Sequence, residues 1–123
     1  MNRVFSKFPL ALMIVMLGIL TVVNARERIA KEILRFEAPE AKQGVAVDKN
    51  FVYVIGSQQI AKYNKKTHEK VAHWKGPEDG PIQHLDSGVI YKGKIYCSHS
   101  NYPGVPMTSS VEIWDAKSLK HVD

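Results

Sequence analysis

Only one cysteine, Cys97, occurs in the 123 residues, so no intramolecular disulfide framework exists and packing alone must hold the fold. Cys97 lies in the strand pattern KIYCSH, where a thiol reads as a small core filler. No complete GxxxxGK[ST], GxGxxG or GxSxG pattern is present, since GVIYKGK at 88–94 is followed by Ile95 and not by Ser or Thr, which argues against a phosphate-binding loop and a serine-hydrolase elbow. HExxH, HxH and CxxC spacings are missing too, so no metal motif is complete. Asn-x-Ser/Thr acceptor sites do not occur, which suits a bacterial export route. Charge runs of one sign are absent: the formal net charge is +5, but Lys and Arg are interleaved with Asp and Glu. That pattern is a solvated surface, and it supports neither a nucleic-acid groove nor an anionic-membrane patch.

No apolar run reaches the roughly 20 residues of a comfortable bilayer span. The longest, Leu10 to Val23, has fourteen apolar or small residues and follows Arg3 and Lys7. With Val23-Asn24-Ala25 behind it, this reads as a signal peptide over residues 1–25, cut after Ala25. An uncleaved anchor over residues 10–23 is the alternative, with RERIAK at the membrane surface. Removing 1–25 takes away two basic and no acidic residues, so the mature chain, 26–123, carries +3. The expected location is periplasmic or secreted.

Residues 26–42 form an N-terminal extension in which Arg26 to Glu40 fits either a short helix, with Ile29, Ile33 and Leu34 on one side, or an extended segment; the extended reading from Ile33 to Glu37 is favoured because Pro39 disfavours helix before it and a sheet is at hand to join. From Gly44 four short segments rich in β-branched and aromatic residues follow: GVAVD, FVYVIG, QIAKYN and EKVAHW. Turn-compatible residues separate them, so residues 43–76 are expected to be a four-stranded antiparallel meander. The KGPEDGP stretch is a connection, since its Gly and Pro cannot continue a strand.

After it the pattern returns over residues 82–123. Gly44-Val45 aligns with Gly88-Val89 at an offset of 44, FVYVIG with KIYCSH at 43, and IAKYNKKTHEKV with VEIWDAKSLKHV at 51. One unit of about 40 residues therefore occurs twice, the second copy carrying an insertion within Ser98 to Ser110. Cys97 takes the place of Val54, and His99 that of Gly56.

Four-stranded units at this period are the pattern of β-propeller blades. Through QGVAVDKNFVYVIG and SSVEIWDAKS the chain resembles exported bacterial propellers of the YVTN and quinoprotein-like kind over roughly Gln43 to Asp123. The resemblance implies an all-β fold with about two blades, 43–76 and an incomplete 82–123. Typically four to eight blades close a ring, so an N-terminal part of a longer propeller is expected. Further blades or another protein would then cover the exposed faces and edges.

Propeller topology brings the loop entering the first strand of a blade and the loop joining its second and third strands to one face. In the second copy these are HLDS and HSNYPGVPMTS. The candidate ligand-binding residues are therefore His84, Asp86, His99, Asn101 and Tyr102. His84, Asp86 and His99 could also be a metal shell of two imidazoles and a carboxylate, or a base and its orienting partner. Purely structural roles remain open for all of them, as does a loop in which Pro103, Gly104 and Pro106 only shape the chain. His68, His73 and His121 are expected to face solvent. Three functions remain: a binding module for a small molecule or protein, part of a lyase-, cyclase- or oxidoreductase-like propeller enzyme, and a membrane-anchored interaction module. No cofactor is specified.

Overall fold

A computed structural model describes residues 29–123; the signal-peptide reading lies outside them. The chain divides into two units, Met1–Ile33 and Leu34–Asp123. The described end of the first has no regular secondary structure, and among the described residues no helix is long and apolar enough to cross a membrane.

The second unit is all-β, with two antiparallel sheets and no helix among the described residues. Sheet 1 is a meander of β1 (Gly44–Val47), β2 (Phe51–Gly56), β3 (Gln59–Asn64) and β4 (Lys70–Lys75). Sheet 2 is a meander of β5 (His84–Tyr91), β6 (Lys94–Ser100) and β7 (Ser109–Asp115). In place of a full fourth strand, Lys120–Asp123 runs beside β7: the Asp115 amide donates to Lys120 O at 2.9 Å, and His121 bridges Trp114.

The two sheets repeat one another in register. Val54 pairs with Val45 and Ala61, and Cys97 pairs with Gly88 and Glu112. The first two strands are thus related by 43 positions and the third by 51. The expected 44 for the first strand is corrected to 43. Gly88 pairs with Cys97 as Val45 pairs with Val54, so matching glycine to glycine slips the alignment by one; a bulge between Leu85 and Gly88 separately adds one residue to β5.

The turns repeat atom for atom. Asn64 Oδ1 accepts from the amides of Lys66 and Thr67, and Asp115 Oδ1 from those of Lys117 and Ser118. His68 (φ 62°) and Leu119 (φ 55°) then take the same left-handed conformation. The β5–β6 turn is instead Lys92-Gly93, both at positive φ, which matches the right-handed twist of a tight hairpin.

Strand alternation gives each sheet two faces. One face of sheet 1, with Ala46, Tyr53, Ile55 and Ile60, packs on the Leu85, Ile95, Cys97 and Trp114 face of sheet 2, and this is the main core. Two glycines permit the approach. A Cβ on Gly44 would lie 2.6 Å from Asp86 O, and one on Gly88 2.7 Å from Ile55 Cδ1. Lys62 crosses the junction, its Nζ donating to Ala116 O at 2.8 Å and sitting 4.1 Å above the Phe51 ring. Burial lowers the pKa of this ammonium, while Asp48 and Asp115 oppose the shift.

The opposite face of sheet 1 forms a smaller cluster of Val54, Ala61 and Tyr63, covered by Phe36 and Ala38. No strand forms over 33–37, so the expected place of that stretch in a sheet is not taken. It serves as a cover instead: Phe36 stacks on His68 at 5.5 Å, leaving that imidazole half-buried and not solvent-facing. Behind it the Tyr63 hydroxyl donates to Glu40 Oε2 at 2.7 Å and Lys70 pairs with Oε1 at 2.7 Å.

Candidate functional site

The antiparallel meanders bring the β2–β3 turn, the 76–83 connection, the start of β5 and the 101–108 loop to one end, here the upper end. Its pieces are tied together by the Leu85 amide donating to Ser57 O at 2.9 Å and by Gln58 Nε2 donating to Glu78 O at 3.1 Å.

His84 and Asp86, two residues apart at the start of β5, meet: Nε2 lies 3.2 Å from Oδ1. Tyr102, carried by the inserted loop, places its ring 5.3 Å from that of His84. The sequence clusters HLDS and HSNYPGVPMTS are therefore in contact through these two side chains. Asn101 is the loop's internal brace. Its Nδ2 donates to Pro106 O at 3.0 Å, its Oδ1 accepts from the Thr108 amide at 2.7 Å, and its carbonyl accepts from the Gly104 amide at 2.7 Å. With its amide occupied in this way, Asn101 shapes the loop that presents Tyr102.

His99 does not join them. The ladder pairs His84 with Ser100 and Leu85 with His99, so the two histidines point to opposite faces. The His99 ring lies on the core side, where Nε2 accepts from the Gln83 amide at 3.1 Å. That bond leaves the neutral ring's proton on Nδ1, which lies 2.9 Å from Ser110 Oγ. Ser110 in turn donates to Glu112 Oε1 at 2.6 Å, and His121 Nε2 sits 2.8 Å from Oε2. In this chain of donors His99 donates to Ser110, so it cannot serve as the base for that hydroxyl. The Ser110 bond, with help from His121, holds Glu112 below the usual carboxylate range against its burial.

Ser110 and Glu112 were not singled out by the sequence, and His121 only as a solvent-facing residue. The signal was there: at an offset of 51, Glu112 stands where sheet 1 has the fully buried Ala61, an unusual place for an unpartnered carboxylate. His121 is exposed, as expected, and it also packs its ring 4.8 Å from Trp114 and pairs with Glu112. His73 is exposed and contacts Gln59 Oε1 at 3.1 Å.

Among the described residues no group of three or more His, Cys, Asp or Glu side chains is arranged to hold a metal ion. His84, Asp86 and Tyr102 can accept and donate hydrogen bonds and offer an aromatic face, which is chemistry for holding a polar ligand. Cys97 is fully buried, and burial pushes its thiol up to about 12, so it is a core residue and no nucleophile.

No family model matches the chain, and no curated protein matches it. A solved structure, that of the computationally designed Ika4 protein, is similar at 10% identity and a TM-score of 0.43 over 77% of this chain and 79% of that one, a likeness too distant to carry an argument.

Proposed function

We propose that the two sheets are successive blades of an exported β-propeller. In this reading the chain is a binding module whose small-molecule or protein ligand contacts the upper-end loops at His84, Asp86 and Tyr102. The observation that carries the reading is the head-to-tail relation of the sheets. Ala46 and Ile60, 3% and 0% exposed, are buried by sheet 2; their equivalents on sheet 2, Val89 and Val111, are 59% and 60% exposed. The same face is closed in one unit and open in the next, so its natural occupant is a further sheet of the same kind. Export rests on the apolar segment Leu10 to Val23 and the small residue Ala25. A second reading, part of a propeller enzyme, draws on the close approach of His84 Nε2 to Asp86 Oδ1, 3.2 Å, a carboxylate placed to orient an imidazole for proton transfer.

A thermal-shift screen with sugars, hydroxy acids and amino acids tests the binding reading. Ligands that raise the midpoint of the wild-type protein should lose at least about tenfold in affinity on His84→Ala or Tyr102→Ala, some 1.4 kcal/mol. Ligands that stabilise both variants as well as wild type would place binding elsewhere. Turnover of any such ligand, abolished by His84→Ala, would favour the enzyme.

A further inference from the structure

The upper-end contact of His84 and Tyr102 leaves a second concavity unused. A cleft of about 290 Å³ opens between the last strands of the two sheets, lined by Trp74, Pro77, Pro81, Ile82, Glu112 and His121. Its walls are aromatic, proline and aliphatic groups, and its one carboxylate is Glu112. No lysine or arginine lines it, although the protein as a whole is basic. The other clefts differ: one contains Lys62 and Lys117, and another Lys49, Lys65 and Lys66.

The aromatic wall is fixed in place. Trp74 sits edge-to-face on Trp114 at 4.9 Å. A Cβ on Gly76 would lie 3.2 Å from the Trp74 ring, so the backbone closes against the indole. The carboxylate is fixed as well, by Ser110 on one oxygen at 2.6 Å and His121 on the other at 2.8 Å. An aromatic face beside an immobile negative charge is attractive to a cation.

We propose that this cleft binds an organic cation of the quaternary ammonium class. The choice of class follows from the state of Glu112. Both its oxygens already accept a hydrogen bond, so it offers charge more readily than free acceptor positions. A guanidinium or primary ammonium would have to satisfy several N–H donors in a cleft walled by apolar groups. A quaternary ammonium has none to satisfy. Its methyl groups pack on Trp74, Pro77 and Ile82 while its charge is balanced by Glu112.

The test is a choline titration followed through the indole N–H resonances of Trp74 and Trp114, the only two tryptophans, assigned with Trp74→Phe. Choline should move the Trp74 signal saturably, and 3,3-dimethylbutan-1-ol, its uncharged isostere, should bind at least tenfold more weakly. Glu112→Gln should weaken choline at least tenfold, while Glu78→Gln on the neighbouring connection should leave it unchanged. Equal binding of the isostere, no saturable shift at millimolar choline, or full affinity in a folded Glu112→Gln protein would each overturn the proposal. The comparison of choline with its isostere needs no variant, so it decides the matter even if Glu112→Gln fails to fold. His84→Ala should not alter choline binding, which separates this site from the upper-end contact.

Discussion

Glu40 is the residue on which a single ionised group bears most. Lys70 and the Tyr63 hydroxyl hold its carboxyl at about 2 against an ordinary 4.5, while burial, aided by Glu40, pushes the Tyr63 phenol up to about 12. Because the folded-state value of Glu40 is depressed, its contribution is complete above about 4.5 and is lost as pH falls from there to about 2. Lys70 is 42% exposed, so solvent screening cuts the contribution well below the full shift, to about 2 kcal/mol. Urea unfolding should find Glu40→Gln less stable than wild type by about that amount at pH 7. The gap should narrow as the pH is taken down to 3; a gap independent of pH would show that the charge contributes nothing.

The strands themselves were legible, because runs such as FVYVIG and QIAKYN carry β-branched and aromatic residues between turn residues. The repeat was legible as well, down to the offsets of 43 and 51 that the ladders display. What escaped is whatever depends on parity along a strand or on register. His84 and His99 are close in the ladder yet on opposite faces, because one residue of register reverses a side chain's direction. Gly88, matched to Gly44 in the sequence, takes the ladder position of Val45. Those two glycines serve different sides of one contact, and Gly44 is the stricter of them, since it meets backbone and not the movable end of a side chain. Gly44→Ala should therefore destabilise the protein by about 1–3 kcal/mol through strain at the β1–β5 junction. Val45→Ala, one residue on and exposed, should stay within about 0.5 kcal/mol. Comparable effects of the two substitutions would mean that the close approach of the strands can relax.

At the scale of the whole molecule, sheet 2 repeats the first three strands of sheet 1 and differs most in what covers it. Val89, Tyr91 and Val111 are more than half exposed on a face whose counterpart in sheet 1 forms the main core. The opposite face of sheet 1 is different, since Phe36 and Ala38 pack on the Val54 and Tyr63 cluster. The central claim is thus directional: sheets add to the open face of sheet 2 as sheet 2 adds to sheet 1. Cys97, fully buried and with its thiol pushed up to about 12, should not react with thiol reagents in the folded protein, so a single introduced cysteine can report on that face. The measurement is the rate at which maleimide labels Val111→Cys in the intact protein purified under native conditions from its own source, against Lys49→Cys as an exposed control. If further sheets cover the face, labelling of Val111→Cys is at least tenfold slower than the control until denaturant is added. Labelling at the control's rate in the native protein would contradict the blade reading.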